Sequence, residues 1–253
     1  MAVNEPTPIA KRSPTPGNVG LPYLPKRRGP LAELLGRAKA RAAYGVWRRT
    51  IRRFAPGDAR GPALRLLDAG CGPGAFARCL ERWFPEARIA ALDLSPQLIR
   101  HVAAATRRVA LAQGSAQSLP FADGSFDVVS GLQMIEHLPR PEDFLGEARR
   151  VLRPGGLLLL ATPNPEGTAA RLLGERWQGL RDDHISLRSP AGWRRALADA
   201  GFEIVRQGTT LFNGVPVIGR FPLGLPFQIL QAIFGWLPWE RGESLMVVAR
   251  RPD

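Results

Sequence analysis

The stretch 64–74 reads Leu-Arg-Leu-Leu-Asp-Ala-Gly-Cys-Gly-Pro-Gly, and it restricts the fold more tightly than any other part of the chain. An apolar run closes on Asp68, and glycine then takes every second position at Gly70, Gly72 and Gly74. Helical spacing follows over 75–84. The pattern is a strand, a tight turn and a helix. Glycine accepts positive φ and lets a ligand come close to the main chain. The first turn of a helix offers unpaired N–H groups and the positive end of a dipole, which suit a carboxylate or phosphate. A bound ligand is therefore expected over this turn. Asp93 closes a second apolar run, 88–93, where an acid at a strand tip accepts hydrogen bonds from ribose hydroxyls. Dinucleotide sites use G-x-G-x-x-G, whereas the spacing here is G-x-G-x-G. Asp68 would also sit poorly beside a pyrophosphate. It suits a ligand that carries an ammonium and a sulfonium.

Strand signals recur at 64–68, 88–93, 108–113, 126–131 and 156–162, with helices expected over 75–84, 96–105 and 142–152. This alternation predicts an α/β fold with a mostly parallel sheet covered on both faces. Ligands gather at the carboxyl ends of such strands. Asp68, Asp93, Gln113–Ala116 and Gly131–His137 all fall at these ends. Further along, Gly167–Trp177 reads as helical, and Ser189-Pro190 opens another helix that Gly201 ends. Two more strands are expected at 202–209 and 245–251.

From Leu66 to Gly74 the chain resembles the first motif of class I S-adenosylmethionine-dependent methyltransferases. Residues 64–165 carry the resemblance further, through Gly114-Ser115-Ala116, Leu119-Pro120-Phe121, Phe126-Asp127-Val-Val-Ser130 and Arg153-Pro154-Gly155-Gly156. Gly131-Leu-Gln133-Met-Ile-Glu136-His137 is similar to the segment after the fourth strand in small-molecule members, especially those related to quinone O-methylation. The resemblance implies a Rossmann-like fold with a seven-stranded, mostly parallel sheet, helices on both faces and a final antiparallel strand. It implies S-adenosyl-L-methionine as cofactor. Asp68, Gly70, Cys71, Gly72 and Gly74 would surround the methionine portion, and Asp93 and Leu94 would follow on the ribose side. Ser115 and Ala116 would lie near adenine, with Ser115 replacing the family's acid, and Gln133 would line the transfer site. Asp127 is structural in the family. Some relatives have acids where Gln133 and Glu136 stand and use them with the adjacent His as a divalent-metal site. Gln133 departs from that pattern, and no metal is expected. His184, in Asp182-Asp183-His184-Ile185, and His137 are the candidate catalytic bases; each can instead be a structural histidine.

Residues 1–30 are proline-rich and basic and are expected to be disordered. A basic helix is expected over 31–55, either packed across the cofactor domain with a solvated face or lying on a membrane surface. The methyltransferase domain would then run over 56–253 with an apolar insertion near 211–240. Phe221–Trp239 carries no charged residue, and its prolines argue against a spanning helix. It reads as a lid over an apolar acceptor, a membrane-surface segment or a dimer contact. The net charge of +13 comes mostly from arginine in a chain also rich in Ala, Gly and Pro, so it is weak support for nucleic-acid binding. Cys71 and Cys79 match neither a zinc pattern nor a disulfide framework. With no apolar signal-peptide core, a cytoplasmic location is expected, with peripheral membrane contact open. The expected activity is methyl transfer to a small, apolar acceptor at oxygen or carbon. Competing readings are an RNA- or protein-directed methyltransferase, a non-catalytic cofactor-binding or assembly protein, and a nicotinamide-dependent oxidoreductase.

Overall fold

The computed structural model describes residues 29–56, 64–210, 236 and 238–253. The expected tail and most of the apolar insertion lie outside the described residues. In chain order the elements are α1 (Pro30–Phe54), β1 (Arg65–Ala69), α2 (Ala75–Trp83), β2 (Arg88–Asp93), α3 (Pro96–Ala105), β3 (Val109–Gln113) and β4 (Phe126–Leu132). There follow α4 (Pro141–Val151), β5 (Leu152–Pro163), α5 (Thr168–Leu173), α6 (Pro190–Asp199), β6 (Glu203–Thr209) and β7 (Ser244–Arg250). The seven strands form one sheet in the order β3-β2-β1-β4-β5-β7-β6. Neighbours among β1 to β5 pair in parallel, and β7 runs antiparallel to both β5 and β6. This is the Rossmann-like sheet, with the final strand antiparallel, that the sequence predicts.

Two-residue alternation explains how the sheet is covered. Successive side chains of a strand point to opposite faces. Leu66, Leu157 and Leu159 pack on one face with Val46, Trp47 and Ile51 of α1 and Phe76 and Leu80 of α2. Leu67, Leu158 and Leu160 pack on the other with Phe144, Leu145 and Ala148 of α4 and Trp193 and Leu197 of α6. Unbroken leucine in β5 is what a strand buried on both faces requires. Trp47 also meets Trp236, with ring centroids 5.0 Å apart. The first helix therefore closes one face of the core, and Arg37, Arg41, Arg49, Arg52 and Arg53 point outward.

Two local departures from expectation have plain causes. The helix expected over Gly167–Trp177 is α5 and then a single 3-10 turn, Gly174–Arg176, because Gly174 takes φ 51° and breaks the α-helical run. The Arg153–Gly156 turn is absorbed into β5 as an irregularity. Phe126 pairs with Leu152 and Val128 with Leu157, so β4 advances two residues while β5 advances five. Helix starts follow the sequence closely. The hydroxyls of Ser95 and Ser189 accept from the Leu98 and Gly192 amides, each with proline next in the chain.

Asp127 shows a carboxylate with a purely structural task. It is buried, accepts from the Arg65 amide at 2.6 Å and faces the Arg65 and Arg153 guanidiniums at 3.3 and 2.6 Å. Replacing one partner of such a cluster strands the others. Asp127→Asn should cost about 3 kcal/mol in urea unfolding, by the same principles, while cofactor affinity in the folded fraction stays unchanged.

Candidate active site

The cavity follows from the order of the strands. β2 and β3 lie to one side of β1 and β4 lies to the other, so the loops leaving β1 and β4 diverge and open a crevice at the carboxyl edge. The cavity there measures about 650 Å³. One end is lined by Tyr44, Asp68, Gly70, Cys71, Gly72 and Phe76, and the other by Gln133, Glu136, His137, Trp177, Arg181, His184 and Glu243.

At the first end the glycine turn is shaped by two different constraints. Gly70, Gly72 and Gly74 take φ of 68°, 53° and 73°. A Cβ on Gly70 would fall 2.2 Å from the Met134 side chain, so this position is closed by packing. A Cβ on Gly72 would meet nothing within 4 Å, so its bare main chain faces open space. Gly74 caps α2. The Asp93 carboxylate accepts from the Gly72 and Ser95 amides, both at 2.9 Å, and so ties the turn to the end of β2.

Asp68 is buried. Its Oδ1 accepts from the Ser130 hydroxyl at 2.9 Å, and its Oδ2 makes no bond of that quality, the Ala77 amide lying near enough only to lower the carboxyl slightly. Burial raises the carboxyl to about 7; the Ser130 hydrogen bond partly offsets this and the Asp93 charge adds to it. Such an atom at a cavity wall calls for a donor or a cation.

At the second end, His137 sits in a 3-10 turn, Ile135–His137, directly after β4. Its Nδ1 lies 2.8 Å from the Asp183 carbonyl, and the His184 Nδ1 lies 2.8 Å from the Gly179 carbonyl. A carbonyl only accepts, so each Nδ1 carries the proton, and the Nε2 of the neutral ring keeps its lone pair. Burial lowers the His184 pKa, which keeps that ring neutral. The two rings meet edge to face at 4.8 Å. Glu136 is fully buried beside them, and burial raises it to about 8, with its own amide and the Thr162 hydroxyl offsetting part of that rise. Ligand atoms of Glu136, His137 and His184 lie within 4.8 Å of one another. The sequence reading assigns no metal here, yet these three side chains together could hold one. Gln133 takes φ 54°, the one positive value at a non-glycine residue among the described residues, and its amide donates to the Ala161 carbonyl at 2.7 Å.

Of the residues singled out from sequence, the cavity wall brings together Asp68, Gly70, Cys71, Gly72, Gln133, His137 and His184. Asp93 stands beside the turn. Leu94 is 54% exposed, the Ser115 hydroxyl accepts from the Gln117 amide at 3.1 Å, and Ala116 packs in the core. These three lie outside the cavity wall. Cys71 is buried and its thiol is pushed far up by burial, so it is no nucleophile. Sequence reasoning missed Tyr44, Phe76, Trp177, Arg181 and Glu243. None belongs to a spaced motif, and only the fold carries them to the crevice.

Comparison with known proteins agrees with this geometry. Residues 39–207 match the family described as Methyltransferase domain. A malonyl-[acyl-carrier protein] O-methyltransferase of Dechloromonas aromatica is 39% identical over 196 residues, covering 72% of this chain and 72% of that protein. A fatty-acid O-methyltransferase of Mycolicibacterium smegmatis is 35% identical over 156 residues, covering 60% of this chain and 48% of that one. Against three other curated relatives the matched segment spans only 36%, 38% and 41% of their length. A putative methyltransferase of Bacillus halodurans superposes with a TM-score of 0.58 at 25% identity, over 82% of this chain and 98% of that structure. With the glycine turn, the strand order and residues 39–207 in agreement, the chain belongs to the class I S-adenosylmethionine-dependent methyltransferase family.

Proposed function

We propose that the protein transfers the methyl group of S-adenosylmethionine to a small, lipophilic acceptor. The observation that carries this reading is one cavity that joins the glycine turn to a wall of Gln133, His137, Trp177 and His184. Its size suits a cofactor with the reacting end of a small molecule. The relative named for fatty-acid O-methylation supports a lipophilic acceptor, as does the uncharged stretch 221–239 of the sequence. No helix among the described residues is long and apolar enough to cross a membrane.

The residues present fit the cofactor. Asp68 Oδ2 is an unpartnered buried acceptor for its ammonium. The open face of Gly72 admits its backbone-length chain, and Asp93 stands at the tip of β2 to accept from its ribose. When bound, the cofactor supplies an electrophilic methyl on a sulfonium, whose leaving group is neutral. The protein's work is then alignment and exclusion of water. An acceptor hydroxyl must also lose a proton, and the Nε2 lone pairs of His184 and His137 are the bases for that step.

One observation favours a second element. A buried carboxylate beside two imidazoles, with ligand atoms of all three within 4.8 Å of one another, has the donor set of a divalent cation. The carbonyls of Asp183 and Gly179 fix both rings as second partners do around metals. In this reading Glu136, His137 and His184 would hold the ion instead of acting as bases, and the ion would lower the pKa of an acceptor hydroxyl bound to it.

Tritium transfer from methyl-labelled cofactor to a panel of long-chain phenols and fatty acids should yield an organic-soluble product, and His184→Ala should lower kcat by about 100-fold. Transfer to RNA or protein alone would overturn the proposal. The metal reading predicts that EDTA abolishes turnover and leaves cofactor binding intact, with Mn²⁺ or Zn²⁺ restoring it, whereas turnover that survives EDTA leaves the two imidazoles as bases. Asp68→Asn should weaken cofactor binding by about 10- to 100-fold. Asp68 is protonated below about 7 in the free protein, so wild-type affinity should fall as pH drops through that value, approaching about tenfold per unit. Calorimetry across pH 5–8 should show this limb in the wild type and its loss in Asp68→Asn.

A further inference from the structure

The amino-acid half of the cofactor carries a carboxylate as well as an ammonium. Asp68 can take the ammonium, but the carboxylate needs donors of its own. Most amides of the glycine turn are already engaged. The Cys71 amide donates to the Leu92 carbonyl, the Gly72 amide to Asp93, and the Gly74 amide to the Cys71 carbonyl, each at 2.9 Å. Position 73 is proline and has no N–H. Of the first amides of α2, that of Ala77 is drawn toward the Asp68 carboxylate, which leaves those of Ala75 and Phe76, and a side-chain donor beside them would add to the set.

Tyr44 is that side chain. It comes from α1, far from any cofactor motif in sequence, yet it lines the same end of the cavity as Asp68, Gly72 and Phe76. Its ring packs on Phe76, the second residue of α2, with centroids 5.1 Å apart. Val46, Trp47 and Ile51, buried on the same helix, hold it against α2 and the sheet. Tyr44 feels the Asp68 charge, which together with burial raises its phenol to about 12. The group therefore keeps its proton and can only donate to an incoming anion. Arg78, whose guanidinium donates to the Pro73 carbonyl at 2.7 Å, adds positive potential beside it.

We propose that Tyr44 is a cofactor-binding residue whose hydroxyl donates to the carboxylate of S-adenosylmethionine, which makes α1 a wall of the active site. The inference rests on the cofactor lying over the glycine turn. It goes further by joining a second, distant segment to the binding step, across the packing of α1 on α2.

Calorimetric titration of the full chain with S-adenosylmethionine and with its decarboxylated analogue, which keeps the ammonium and loses only the carboxylate, tests it. Tyr44→Phe should weaken S-adenosylmethionine binding about tenfold and leave the analogue within about twofold of wild type. The wild type should itself prefer the full cofactor, and Tyr44→Phe should erase most of that preference. Unchanged S-adenosylmethionine affinity in Tyr44→Phe would overturn the proposal. So would equal losses for both ligands, because a merely structural tyrosine would affect the two alike. Failure of the wild type to bind either would overturn the cofactor placement itself, and this inference with it.

Discussion

The pairing of β1 with β4 is the constraint on which the site depends. These strands meet in register from Leu66 with Val128 to Asp68 with Ser130. The chain leaves β1 toward β2 and returns at β4, so the two loops part at this boundary and nowhere else along the parallel strands. The Ser130 hydroxyl donates to Asp68 across the boundary. That contact fixes the carboxylate at the floor of the crevice and uses only one of its oxygens.

The cavity contains three acids that burial makes harder to ionise. Asp68 and Glu136 are raised to about 7 and 8, and Glu243 is raised with only the Trp177 N–H at 3.5 Å to steady it. A cofactor-free protein bears the desolvation cost of each one that ionises. For Asp68 this cost grows as pH rises from about 4, the ordinary carboxylate value, toward 7, because the folded chain binds the proton more tightly than the unfolded chain does. A cationic ligand reverses the balance, since it favours the ionised form and binds only the folded state. The same acids that weaken the free protein are thus the ones that make it a receptor for positive charge.

Much of this was legible in the sequence, and the limits have a physical origin. Asp68, the three glycines and Asp93 were readable because turn geometry and ribose recognition tolerate few residue types at fixed spacing. The strands were readable because burial on both faces demands unbroken apolar runs such as 157–161. The acceptor end was less legible. Glu136, His137 and His184 come from segments on either side of α4 and β5, and their closeness is a property of packing. Nor could spacing reveal that Gly174 would halve an expected helix, or that Tyr44 of α1 would reach the glycine turn. Ser115 stands where the family has an acid, and in the fold its hydroxyl accepts from the Gln117 amide of its own turn.

The two ends of the cavity are held together by different means, and this bears on how one scaffold serves many acceptors. The cofactor end is fixed by strand register and by the side-chain ties of Asp93 to the Gly72 amide and of Ser130 to Asp68. The acceptor end is a loop, 177–186, latched onto the segment after β4. Ser186 donates through its amide to the Glu136 carbonyl and through its hydroxyl to the Leu138 carbonyl, and His137 reaches back to Asp183. These latches use main-chain acceptors almost throughout, so they survive changes in the side chains between them. Trp177, Gln178 and Arg181 are thus free to change while the carbonyls of Asp183 and Gly179 keep His137 and His184 protonated at Nδ1. Chemistry at the transfer site is thereby separated from recognition of what is methylated.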